Sequence, residues 1–169
     1  MKKILFLLKI QAVCLFLLFV GAGMTSADEG MKTTQNLYKV SLASVYDGDT
    51  FKVNLSCRYG IFCKKMGVRV KGIDAPEIRT KDLCEKEMAK QAKAFTKEFL
   101  KSGPIILRNC EKDKYFRLLC DVSVRNPSNP TKKAEKSLSD ALLAQKLAVL
   151  YDGGSKKEIN WCAITESNE

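Results

Sequence analysis

The sequence contains no histidine among its 169 residues. That excludes Ser-His and Cys-His nucleophilic dyads, paired-histidine phosphodiester cleavage, histidine-ligated metal nucleases and Cys2His2 zinc sites. It also removes the side chain that ordinarily titrates near neutral pH, so a rate profile without an ionisation near pH 6.5 is expected. No Cys-x-x-Cys spacing occurs, which argues against a zinc knuckle or a thioredoxin-type redox pair. Any hydrolysis must therefore run on carboxylates, Arg, Lys or Tyr, with or without a hard metal ion.

The N-terminal residues 1–27 contain no acid and no uninterrupted apolar run of membrane-spanning length. Lys2 and Lys3, a mostly apolar stretch over 10–20, and the small residues Thr25, Ser26 and Ala27 give the pattern of a cleaved export signal. Cleavage there predicts a periplasmic or secreted protein with no stable membrane association. It changes the charge from +10 to +7, with 26 basic residues against 19 acidic ones. A surplus of that size steers polyanions toward the protein but does not define a function. Cleavage also removes Cys14 and leaves Cys57, Cys63, Cys84, Cys110, Cys120 and Cys162, an even count that suggests three disulfides in an exported chain. Cys57 and Cys63 flank one short turn, and Cys110 and Cys120 flank another. Pairing each as a hairpin staple leaves Cys84 for Cys162, which would tie a long helix to the C-terminal segment.

Residues 28–36 read as a flexible lead-in and 37–169 as a single domain, expected to be monomeric. Strands are predicted over 37–46, 51–55, 66–73, 104–110 and 117–125 from alternation and turn residues. A helix is predicted over 82–101, capped by Asp82 with Glu85 three residues on, with Met88, Ala92, Phe95 and Phe99 as its buried stripe. Lys86, Lys90, Lys93 and Lys97 line another side of it. A second helix is predicted from Ser137 to Ala148. A short third one carries Trp161 and Cys162 and is introduced by Ser155 and Glu158. Short strands with one helix after the third and more at the end predict an α+β chain built on a five-stranded barrel of the OB type.

Two acidic turns stand out. The first is Asp47-Gly48-Asp49-Thr50. The second runs from Arg69 to Asp74, Ala75, Pro76 and Glu77. In a regular strand Arg69 and Asp74 would face opposite ways, but Gly72 between them can break the pleat and turn both toward one pocket. The order strand, DGDT, strand, R-x5-A-P-E, long helix, then Asp113-Lys114-Tyr115-Phe116-Arg117 between strands resembles the staphylococcal (micrococcal) nuclease family of thermonuclease-like domains. The similarity runs from about Leu37 to Tyr151, and the stretches 114–119 and 151–154 suggest its exported, disulfide-containing branch.

That resemblance implies a calcium-dependent phosphodiesterase acting on DNA and RNA by attack of a metal-activated water, leaving 3′-phosphates. It implies Asp49, Asp74 and the backbone carbonyl of Ala75 as calcium ligands, with Asp47 behind them. Glu77 is implied as general base, Arg69 and Arg117 as phosphate-binding arginines, and Lys114 and Tyr115 as nucleotide contacts. Three departures accompany it: Ala75 stands where the family has threonine, Phe116 stands where it often has glycine, and the loop 111–113 is short. The chemistry is coherent, because hard calcium takes oxygen ligands and arginine donates in paired fashion to phosphoryl oxygens. A barrel of this type that binds nucleic acid without cutting it is the alternative, and the intact set of acids and arginines favours the enzyme.

Overall fold

Alternating side chains build the sheet. The computed structural model describes residues 35–56, 63–127, 135–155 and 158–166. In it β1 (Gln35–Val45) pairs antiparallel with β2 (Thr50–Leu55), and β2 with β3 (Met66–Val70). Phe51 and Val53 are fully buried while Lys52 between them is exposed, the period of a strand with one wet face. The chain divides into Met1–Met31 and Lys32–Glu169, and all described residues belong to the second unit. The expected export signal, and Cys57 with the turn after it, lie outside the described residues. β1 starts at Gln35, so the last two residues of the expected lead-in belong to the sheet.

The strand expected over 66–73 is interrupted. β3 ends at Val70, Gly72 takes a φ of +78°, and β4 (Ile73–Asp74) continues in a new direction. Only glycine adopts that conformation without strain. Next comes α1 (Leu83–Lys101), whose first turn is capped by Asp82, its Oδ1 accepting from the amides of Cys84 (2.8 Å) and Glu85 (3.0 Å). The buried face of α1 is Met88, Ala89, Ala92, Thr96 and Leu100. Phe95 and Phe99, expected at its centre, are only half-buried and pack against the edge of the core. The small residues Ala89 and Ala92 let the helix approach the barrel closely, which leaves the rings to flank the contact.

β5 (Ile105–Lys112) and β6 (Leu118–Arg125) form a hairpin joined by the Cys110–Cys120 disulfide. β7 (Glu135–Ser137) adds to β6, α2 (Leu138–Ala144) follows, β8 (Val149–Leu150) pairs with β4, and α3 (Trp161–Glu166) ends the described chain. The sheet order is β3-β2-β1-β5-β6-β7, and β6 also pairs in parallel with β3. Strands β1, β2, β3, β5 and β6 therefore pair in a closed ring with the three helices of the described residues around it, the OB arrangement the pattern predicted. Phe51, Val53, Val68, Val70, Leu107 and Cys120 fill the ring, covered by Leu100, Leu138 and Leu142 from the helices.

Two helix limits differ from expectation. α2 stops at Ala144 because Lys146 turns left-handed (φ 55°), with the Leu147 amide folding back onto the Leu142 carbonyl. α3 is introduced by Asn160, whose Oδ1 accepts from the Ala163 amide at 3.2 Å; Ser155 and Glu158 lie before it, outside the helix. The Cys84–Cys162 disulfide joins the first turn of α1 to α3. Cys63 is also disulfide-bonded. Among the described residues no helix is long and apolar enough to cross a membrane.

Candidate active site

The turn Asp47-Gly48-Asp49 enters β2 with all three residues buried. The Tyr46 and Asp47 amides both donate to the Thr50 carbonyl (2.9 and 3.1 Å), and the Val70 amide donates to the Asp49 carbonyl at 2.9 Å. Helix α1 presses on this turn from behind. A Cβ on Gly48 would stand 2.8 Å from the Ala92 Cβ and 3.0 Å from that of Ala75, so glycine is required there for closeness alone. Thr96, fully buried, donates its hydroxyl to the Gly48 carbonyl at 2.5 Å. Sequence reasoning did not pick out Thr96. The available signal was a hydroxyl one helical turn beyond Ala92 on an otherwise apolar face.

Arg69 lies opposite Thr50 in the β2–β3 register, which places it beside Asp49. The break at Gly72 brings Asp74 round to the same guanidinium. Arg69 Nη1 is 2.5 Å from Asp49 Oδ2, and Nη2 donates to Asp74 Oδ1 at 2.8 Å. The Nη1 contact is a close ion pair that is not aligned as a hydrogen bond. Asp49 further accepts from the Ala75 amide (2.7 Å, Oδ2) and the Thr50 hydroxyl (2.9 Å, Oδ1). Burial raises the Asp49 carboxyl above the usual range, and the negative charge of Asp74 adds to that. Arg69, the Ala75 amide and the Thr50 hydroxyl pull the other way.

Glu77 follows on the exposed rim, its amide donating to Glu85 Oε1 at 3.1 Å. Glu85, expected to complete the cap of α1, instead fixes the segment that carries Glu77. Asp47 receives the Ile78 amide at 3.4 Å.

Arg117 belongs to a second cluster. Its Nε and Nη2 contact Asp113 Oδ2 at 2.8 and 2.6 Å, and its Cγ packs over β3, 3.0 Å from where a Cβ on Gly67 would stand. Burial works to raise the Asp113 carboxyl, but the hydrogen bond and charge of Arg117 outweigh it and hold it low. Tyr115 projects into solvent, with Lys114 Nζ 5.1 Å and Arg117 Cζ 5.2 Å from its ring centre. Of the residues singled out from sequence, then, Asp47, Asp49, Arg69, Asp74, Ala75 and Glu77 gather around one turn. Lys114, Tyr115 and Arg117 gather at the β5–β6 tip.

Residues 67–163 match the sequence profile described as staphylococcal nuclease homologue. The chain belongs to that family. Arg69, Asp74, Glu77 and Arg117 fall inside the matched stretch, and Asp47 and Asp49 precede it. This staphylococcal nuclease homologue is also similar to Endonuclease YncB of Bacillus subtilis (strain 168), 32% identical over 131 residues, covering 74% of the present chain. It spans 55% of the length of that relative.

The donor set of the nuclease homologue suits a hard cation. Two buried carboxylates converge on one guanidinium, and every ligand atom they offer is oxygen. Asp74 also borders a cavity of about 530 Å³ lined by Gly72, Leu150, Tyr151 and Asp152 among others.

Asp47 lies in the same buried turn. Burial, followed by the charges of Glu77 and Asp49, pushes it up to about 6 against the partial opposition of the Ile78 amide and Lys93. An acid whose pKa is raised on folding holds its proton more tightly in the folded state. Its contribution to stability is therefore present below about pH 4 and lost as pH rises through about 6. Asp47→Asn is expected to stabilise the metal-free nuclease homologue by about 1 kcal/mol at pH 7, allowing for solvent screening, and to change little at pH 4. Urea unfolding in EDTA at both pH values checks this, and an equal gain at both would refute the burial of a charge as its source.

Proposed function

We propose that this protein is an exported calcium-dependent phosphodiesterase that hydrolyses DNA and RNA and leaves 3′-phosphates. The observation that carries the reading is the pair of buried carboxylates, Asp49 and Asp74, converging on one guanidinium beside Glu77. Asp49, Asp74 and the Ala75 carbonyl would hold calcium, with Asp47 behind them. When bound, calcium supplies a hard positive charge that shields phosphate and promotes attack by water. Arg69 donates to a phosphoryl oxygen, and this contact strengthens as charge builds on the transferring group. Arg117, released from Asp113, offers a second planar pair of donors. Glu77 accepts the proton of the attacking water, a role in which a solvent-facing carboxylate at the rim needs no histidine. Lys114 and Tyr115 contact the nucleotide next to the cut. Water and not a ribose hydroxyl attacks, so both kinds of nucleic acid are substrates. Removal of residues 1–27 on export, leaving a monomer, and a further Cys57–Cys63 disulfide complete the reading.

Digestion of DNA and RNA by the chain lacking residues 1–27 tests it. Hydrolysis is expected in calcium and is expected to stop in EDTA. Full activity in EDTA would overturn the metal site. Binding in calcium without turnover would assign the barrel a purely binding role.

A further inference from the structure

We propose that Phe116 is a base-stacking side chain that, together with Tyr115, grips unstacked bases beside the cutting centre and adds affinity for single strands over duplex. The location relative to the cut rests on the nuclease reading; the binding itself does not.

Phe116 and Tyr115 are adjacent at the β5–β6 tip and are 76% and 66% exposed. Single exposed apolar residues are ordinary, but Phe116 also sits at a φ of +59°. An aromatic residue there is strained, and glycine would occupy the position freely. The ring is thus kept in solvent, on a strained backbone, where it contributes nothing to the core.

Its surroundings specify the partner. Lys112 Nζ lies 5.9 Å from the centre of the Phe116 ring, and Lys114 and Arg117 stand over Tyr115. Asp113, the acid among them, is engaged by Arg117. A platform of two rings ringed by cations matches a polyanion that carries flat π-faces. The tip also stands near the reactive centre. β6 runs parallel to β3 with Leu118 opposite Val68, and Arg117 crosses Gly67, two positions before Arg69. That separation is roughly 7 Å along a strand. A duplex keeps its base faces stacked inside the helix, so only a single strand or a frayed end can offer them to these rings.

The test uses the chain from residue 28 in EDTA, so that nothing is cut, with fluorescein-labelled oligodeoxyadenylate and a hairpin duplex of equal length. Fluorescence anisotropy of the Phe116→Gly variant is expected to show about tenfold weaker single-strand binding and under twofold weaker duplex binding. Glycine relieves the backbone strain, so the variant is expected to fold with an unchanged or higher melting temperature. Phe116→Trp is expected to retain the affinity. Phe116→Leu, which keeps bulk without a π-face, is expected to lose it. Equal losses on both probes, no loss, or full affinity with leucine would each overturn the proposal. So would Phe116-dependent binding to phosphatidylglycerol vesicles with single-strand affinity unmoved, which would make the tip a membrane contact. If selectivity depends on Phe116 while calcium brings no hydrolysis, the nuclease reading fails and the stacking site stands. Hydrolysis with Phe116→Gly binding unchanged would give the reverse.

Discussion

Arg69→Ala is expected to abolish DNA hydrolysis, by about a thousandfold or more, and also to destabilise the metal-free protein. From sequence alone Arg69 reads as a functional side chain whose loss spares the fold. The structure changes that expectation, because the guanidinium is the cation shared by Asp49 and Asp74, both 5% exposed. Removing it leaves two carboxylates facing each other in a site where burial already disfavours the Asp49 charge. The cost of stranding a buried charge is about 3–5 kcal/mol. Calcium held at the proposed site would favour the folded chain over the unfolded one, so it should recover part of the stability and none of the activity. Urea unfolding in EDTA and in calcium, alongside initial rates, separates the two effects. Wild-type stability in EDTA would mean that Arg69 does not neutralise the pair. Wild-type rates would remove it from phosphate binding.

The second large effect is expected from the Cys84→Ala/Cys162→Ala pair of substitutions. The disulfide closes a loop of sequence separation 78, for which chain entropy predicts a stabilisation of about 4 kcal/mol. The consequence is not confined to the global free energy. β8 pairs with β4 at Asp74↔Val149, and the Tyr151 amide donates to the Gly72 carbonyl at 3.0 Å, so the C-terminal segment braces the strand that carries Asp74. At the other end of the link, Cys84 precedes Glu85, which holds the Glu77 amide. The double variant is expected to melt well below wild type and to lose activity at temperatures where its barrel is still folded. Circular dichroism followed against rate over a temperature series checks this. Activity and ellipticity that fall together would show that the link stabilises the whole domain and not the site in particular.

Much of this was legible in the residues because short-range rules dominate where it was read correctly. Alternation in 51–55, the Asp82 cap and the Gly72 break all act within a few positions, and each gives the element it predicts. The misreadings occur where distant packing decides. Phe95 and Phe99 have the right period for a buried stripe, yet Ala89 and Thr96 take the deeper places because α1 must lie close against the Asp47 turn. Glu85 has the right offset to complete a cap, yet its partner is Glu77, eight residues earlier. The site followed the same division. The convergence of Asp49, Arg69 and Asp74 could be anticipated from a hairpin and one glycine. The elevation of Asp47 could not, since it comes from burial beneath α1 together with the charges of Glu77 and Asp49.

The parallel pairing of β3 with β6 has a further consequence, for the order of assembly. Asp49, Arg69 and Asp74 all sit on or just beyond the β2–β3 hairpin, so their convergence needs only local chain closure. Arg117 and the aromatic tip reach that hairpin only when Leu118 docks against Val68, a contact between segments far apart in the chain. Contacts of high sequence separation form late and slowly. Refolding of the oxidised protein is thus expected to regain the acid–arginine cluster first and to acquire its grip on nucleic acid only as the ring closes.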